Sequence, residues 1–97
     1  MNDEEIREEF EKKRAEGKIP PATLETLELY VYNHYRTGGF LRSFLANDLM
    51  QAVARADSDN SLVFRELAQL VHWGLPSRCH GSYEKVDQWL TEGNDGK

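Results

Sequence analysis

Cysteine is nearly absent from this 97-residue chain, in which Cys79 stands alone. A single cysteine excludes a disulfide within the chain and fits a reducing compartment. His34, His72 and His80 do not form the paired spacing of zinc ligands with it, so we expect no metal and no cofactor. The neighbours Cys79 and His80 match no nucleophile motif, and we therefore expect no catalytic residues and no enzymatic activity.

Long apolar runs are also missing. No stretch approaches the roughly 20 apolar residues of a membrane span, and the acidic opening MNDEEIREEF is unlike a signal peptide. We therefore expect a cytoplasmic protein that does not contact membranes. The 17 acidic and 12 basic side chains give a formal net charge of −5, which disfavours direct DNA or RNA binding but suits a basic protein surface as partner.

Period-two alternation, the pattern of a half-buried strand, does not occur, and this predicts an all-α protein. Apolar residues at helical spacing predict a compact bundle of four core helices, over about 21–35, 39–56, 61–73 and 82–90. The helix over 39–56 carries the widest apolar stripe and is expected at the centre. Asn47 and Asp48 would lie inside that helix, where they either face solvent or bond to a neighbouring helix end in a buried network. The second arrangement is favoured because Phe44, Leu45 and Leu49 surround them.

Residues 1–18 are almost entirely charged and predict a further helix that ends at Gly17. Ile6 and Phe10 are its only apolar stripe, so we expect weak attachment to a core domain over 19–92, or attachment to a partner. The polar residues 93–97 are expected to be a disordered tail.

Two adjacent glycines stand out in RTGGFLRSFLAND, residues 36–48. One interpretation is an anion site, in which the unpaired N–H groups of a helix N-terminus hold a phosphate. Its residues would be Arg36, Thr37, Gly38, Gly39 and Arg42, and its ligand a phosphate-bearing small molecule such as a nucleotide. The other interpretation is a plain turn, in which Gly38 ends one helix in the left-handed conformation. The turn is favoured because paired glycines are far less specific than a phosphate loop.

A second helix start, in PSRCHGSYEK, has a similar composition. Arg78, Gly81 and Ser82 there could converge on the same anion as the first helix start, or could form an ordinary turn. The sequence leaves both arrangements open.

Aromatic side chains are concentrated in YVYNHY, residues 30–35. Tyr30 and His34 share one side of a helix and Tyr32 and Tyr35 lie on others, so a chain of this length cannot bury them all. We expect some of them at a protein interface, although an amphipathic core edge explains them equally well. The small core and the surplus aromatics predict a homo-oligomer.

From Ile19 to Leu90 the chain resembles a group of small phage- and prophage-encoded helical proteins of unassigned function. The resemblance rests on PPATLETLELYV, TGGFLRSFLANDLMQAVARAD and LPSRCHGSYEKVDQWL. It implies an accessory role in phage biology, in which a small acidic non-enzymatic protein binds and blocks a host protein, as inhibitors of host defence do. The alternative is a protein that sequesters a phosphate-bearing small molecule at the Gly38–Gly39 helix start.

Overall fold

The structure, a computed structural model, describes residues 3–92. Within that range the chain forms seven α-helices and one 3-10 turn, without any strand. The helices are α1 (Asp3–Glu16), α2 (Pro21–Asn33), α3 (Gly39–Leu45), α4 (Leu49–Arg55), α5 (Ser58–Ser61), α6 (Phe64–Gly74) and α7 (Tyr83–Glu92), and the 3-10 turn is Ser77–Cys79. The all-α prediction is confirmed, with more and shorter helices than predicted. The predicted tail over 93–97 lies outside the described residues.

The prediction of one central helix over 39–56 is wrong, because the helix is interrupted at Asn47. Asn47 has a φ of +63°, a left-handed conformation that asparagine tolerates better than most residues. Asp48 then caps α4, since its carboxylate accepts a hydrogen bond from the backbone N–H of Gln51 at 3.3 Å. Asn47 and Asp48 therefore end one helix and begin the next, instead of lying inside one.

The turn between α2 and α3 also differs from the prediction. His34, with a φ of 56°, takes the left-handed position at the end of α2, and its N–H bonds to the carbonyl of Tyr30 at 3.1 Å. Gly38 has a φ of −73° and is the extended N-cap residue of α3. The expectation of a left-handed Gly38 is wrong, because the helix ends four residues earlier.

Helix α1 packs more closely on the rest of the molecule than its charge suggested. Ile6 and Phe10 are fully buried against α2 and α6. Gly74 permits the close approach, since a Cβ at Gly74 would lie 3.1 Å from the Cβ of Glu9. The weak attachment expected from the sequence is therefore not what the packing shows. The predicted boundary at residue 18, between the N-terminal helix and the core domain, stays a prediction.

One core cluster joins five of the helices. Its largest fully buried side chains are Phe10, Leu24, Leu27, Tyr30, Leu45, Leu67, Leu70 and Val86. Helix α4 contributes only Ala52 as a buried residue. The radius of gyration of 12.6 Å is close to the value of about 12.5 Å expected for a compact domain of this length. Among residues 3–92, no helix is both long enough and apolar enough to cross a bilayer.

Candidate functional site

Tyr30, predicted at an interface, is a core residue. Its side chain is fully buried, and its hydroxyl donates a hydrogen bond to the carbonyl of Cys79 at 2.7 Å. The indole Nε1 of Trp89 donates to the carbonyl of Tyr30 at 2.8 Å. Burial raises the pKa of the Tyr30 phenol. The expectation of an accessible Tyr30 is wrong, because this side of α2 faces α7 and the 3-10 turn.

Tyr32 and His34 are each packed against another part of the chain. The Tyr32 ring lies 6.2 Å from the Phe10 ring with the Arg7 guanidinium 5.2 Å above it. The His34 ring lies 4.3 Å from the Trp89 ring, and its Nδ1 is 2.6 Å from the Trp89 carbonyl oxygen.

Tyr35 differs from the other aromatic residues of YVYNHY, since it is 58% exposed. Of the four residues predicted at an interface, Tyr35 is the one whose side chain is largely open to solvent. The interface prediction stays open for this position.

The Gly38–Gly39 helix start is short and partly covered. Helix α3 has seven residues, and Gly38 makes no side-chain cap. The hydroxyl of Thr37 donates to the carbonyl of Gly38 at 3.1 Å. A Cβ at Gly39 would lie 2.8 Å from Nη1 of Arg55, so the Arg55 side chain already lies against this helix start.

Two of the arginines predicted to hold an anion, Arg36 and Arg42, lie near the exposed carboxylate of Asp87. Arg42 donates two hydrogen bonds to Asp87, at 2.7 and 3.4 Å, and its guanidinium lies 5.1 Å from the Tyr83 ring centre. The hydrogen bond from Arg42 lowers the pKa of Asp87, and the charge of Arg36 lowers it further. A bound anion would therefore have to compete with Asp87 for Arg42.

The second predicted helix start, with Gly81 and Ser82, lies beside the C-terminal end of α3. The Gly81 N–H donates to the carbonyl of Leu45 at 2.7 Å, which places this segment beside the last residue of α3 and not beside its first, Gly39. Ser82 acts as an ordinary N-cap, because its hydroxyl accepts a hydrogen bond from the Lys85 N–H at 3.1 Å.

Arg78 is engaged near the end of α7. It pairs with Glu92 at 3.0 Å and lies 5.5 Å from the Trp89 ring centre. The two predicted helix starts are therefore not brought together. Most of the anion-site residues serve contacts within the chain, and anion binding by them stays a prediction.

A groove that the sequence analysis missed lies between α3, α4, α6 and the segment 77–85. It has a volume of about 730 Å³. Its apolar lining comes from Phe44, Leu45, Leu49, Ala52, Phe64, Ala68 and Val71. Arg65, His72, His80 and Lys85 line the same groove, and the lining among residues 3–92 includes no acidic side chain. We call this the basic groove. Its charge is opposite in sign to that of the whole chain.

The basic groups of the groove influence one another. Burial lowers the pKa of His80, and the nearby His72 and Lys85 lower it further, whereas a hydrogen bond to the backbone of Leu75 opposes this. The Nε2 atom of His80 is buried and has no hydrogen-bond partner among residues 3–92. Lys85 folds back over Gly81, with its Nζ 3.6 Å from the position of a Cβ there. His72, His80 and Lys85 therefore lie close together in the groove, and the lowered pKa favours the neutral form of His80.

A second unexpected feature is the outer side of α4. Leu49, Met50 and Val53 are 61%, 79% and 56% exposed. Residues at i, i+1 and i+4 fall within an arc of about 100° on a helix, so the three side chains form one patch. We call it the α4 apolar surface. Leu49 also lines the basic groove, so the two features adjoin.

Comparisons with protein-family models, with curated proteins and with solved structures found no match. Within residues 3–92, no group of three or more histidine, cysteine, aspartate or glutamate side chains could hold a metal ion.

Proposed function

We propose that the protein is a non-enzymatic interaction protein that binds and blocks a host protein through the α4 apolar surface. The observation that carries the proposal is the exposure of Leu49, Met50 and Val53 on a helix whose one buried residue is Ala52. A surface helix normally directs its large apolar side chains into the core. Helix α4 does the reverse.

The energetic consequence favours association. Fully burying a leucine, methionine or valine side chain contributes roughly 1.5–3 kcal/mol, so covering three of them would contribute several kcal/mol before the entropy loss of binding. Such side chains at the centre of an interface supply most of its affinity. The net charge of −5 would steer the protein toward a partner with a basic rim.

The blocking role follows from the resemblance to small phage-encoded proteins. A chain of 97 residues that acts by occupying a surface needs only one binding face. The α4 apolar surface supplies such a face without any catalytic group.

The proposal is tested by retention of host proteins on immobilised variants. The test variant carries Met50→Glu and Val53→Glu, which place two charges in the patch. The matched control carries Ala15→Glu and Gln88→Glu, which add the same charge at exposed positions of α1 and α7. We expect one host protein to be retained in stoichiometric amount by the wild type and the control, and lost by the test variant.

Two results would reject the proposal. One is equal retention of that protein by the Met50→Glu, Val53→Glu variant, with an unchanged melting temperature. The other is no stoichiometric partner for the wild type.

A further inference from the structure

The basic groove places two basic side chains, Arg65 and Lys85, beside an apolar lining. Elsewhere in residues 3–92, ion pairs are made by Lys13, Arg14, Lys18, Arg42 and Arg78. Arg7 lies over the Tyr32 ring and Arg55 donates to Gln51. Neither Arg65 nor Lys85 makes an ion pair with a carboxylate among the described residues, although the chain has an excess of acids. A groove that has these two charges and no acidic side chain in its described lining is complementary to an anion.

The lining defines the rest of the ligand. The rings of Phe44 and Phe64 stand edge to face with their centres 5.6 Å apart, and both line the groove with Ala68 and Val71. These groups offer apolar contact and no hydrogen bonds, so the ligand needs an apolar or aromatic body as well as its charge.

The dimensions favour a small molecule over a protein segment. Arg65 and His72 lie seven residues apart on α6, which separates them by about 10 Å along the helix axis. The volume of about 730 Å³ falls within the range of roughly 300–1,000 Å³ found for small-molecule sites. A helix of a partner protein would extend well beyond both ends.

We propose that the basic groove binds a small molecule that joins one anionic group, a carboxylate or a phosphate, to an apolar body. Lys85 holds the anionic group through charge-assisted hydrogen bonds, at the end of the groove where His72 and His80 also lie. Arg65, about 10 Å from His72 along α6, adds electrostatic attraction for the anion. Phe44, Phe64 and Val71 contact the apolar body. The inference does not depend on the proposed function, because its charged residues lie outside the α4 apolar surface.

The test uses two fluorescent probes that differ by one sulfonate group. These are 8-anilinonaphthalene-1-sulfonate and its neutral counterpart N-phenyl-1-naphthylamine. We expect saturable binding of the sulfonate by the wild type, and at least a tenfold weaker dissociation constant for the Arg65→Gln, Lys85→Gln variant. Binding of the neutral probe should change less than twofold. The control variant Lys12→Gln, Lys18→Gln removes the same charge from α1 and the segment after it, and should bind both probes normally.

A second variant tests the location. Ala68 is exposed and lies between Arg65 and His72 on α6, so Ala68→Trp should fill the groove without disturbing the core. It should weaken binding of both probes at an unchanged melting temperature. Unchanged sulfonate binding in Ala68→Trp or in Arg65→Gln, Lys85→Gln would overturn the inference.

The chemical source of the anionic group is decided by displacement of the bound sulfonate probe. Displacement by decanoate indicates an acyl carboxylate, and displacement by adenosine monophosphate, with adenosine as the neutral control, indicates a phosphate ester. Displacement by neither anion, or equal displacement by adenosine and its monophosphate, would overturn the proposal.

Discussion

A hydrogen bond from the Trp89 side chain to the Tyr30 backbone joins α7 to α2. The indole Nε1 of Trp89 donates to the carbonyl of Tyr30 at 2.8 Å, while the Tyr30 hydroxyl donates to the carbonyl of Cys79 at 2.7 Å. Three segments that are distant in sequence therefore meet at one buried tyrosine. Since α7 also carries Lys85, this contact fixes one wall of the basic groove.

The replacement Tyr30→Phe tests this contact. It removes the hydroxyl and leaves the buried carbonyl of Cys79 without its partner, which costs about 1–3 kcal/mol of unfolding free energy. Urea denaturation should show this loss, whereas Tyr35→Phe, at an exposed position, should change the unfolding free energy by less than about 0.5 kcal/mol. Equal effects of the two replacements would contradict the assignment of Tyr30 to the core.

The replacement Phe10→Ala tests the attachment of α1. Phe10 is 1% exposed, and truncating a buried phenylalanine costs about 3–5 kcal/mol. The exposed neighbour Lys12 is the control, because Lys12→Ala should have little effect. A loss below about 1 kcal/mol for Phe10→Ala would restore the view that α1 is a weakly attached appendage.

The replacement Gly38→Ser tests the geometry of the α2–α3 turn. Gly38 has the extended conformation of an N-cap residue and makes no side-chain cap, so serine should add a hydrogen bond to α3 and stabilise the protein by a few tenths of a kcal/mol. Calorimetry would detect the higher melting temperature. A left-handed Gly38 would instead give a loss of about 1 kcal/mol or more.

The Cys79 thiol should be inert in the folded protein. Its side chain is fully buried, and burial raises the pKa of the thiol to about 12. We expect a dithiobis-nitrobenzoate reagent at pH 8 to modify Cys79 far more slowly in the native protein than in urea. Equal rates under the two conditions would mean that this part of the core is open.

The sequence predicts where the chain is helical better than where each helix ends. Apolar spacing predicts the helix over 21–35 but not its left-handed end at His34, because residues other than glycine are uncommon in that conformation and Gly38 follows close by. The break at Asn47 and Asp48 has a clearer signal, since asparagine followed by an N-cap aspartate is a stop followed by a start. Leu49 and Val53 continue the apolar spacing past this break, and the spacing therefore favours one long helix. The sequence alone does not show that both side chains are exposed.

The candidate sites were harder to predict because they depend on long-range packing. Arg42 and Asp87 are 45 residues apart, and no local pattern indicates that they pair. The basic groove had a partial signal, since Arg65, Ala68 and His72 recur on one face of α6. Lys85 and the apolar lining join them only through the tertiary fold.

Site-specific photo-crosslinking at Met50 tests the central claim most directly. A benzoylphenylalanine at position 50, which is 79% exposed, should form one discrete adduct with a host protein when irradiated in host cells. The same group at the exposed position Gln88 should form none. An adduct with the mass of two 11.2 kDa chains at position 50 would identify a second copy as the occupant and contradict host-protein binding. The absence of any adduct, or equal adducts at both positions, would also contradict host-protein binding.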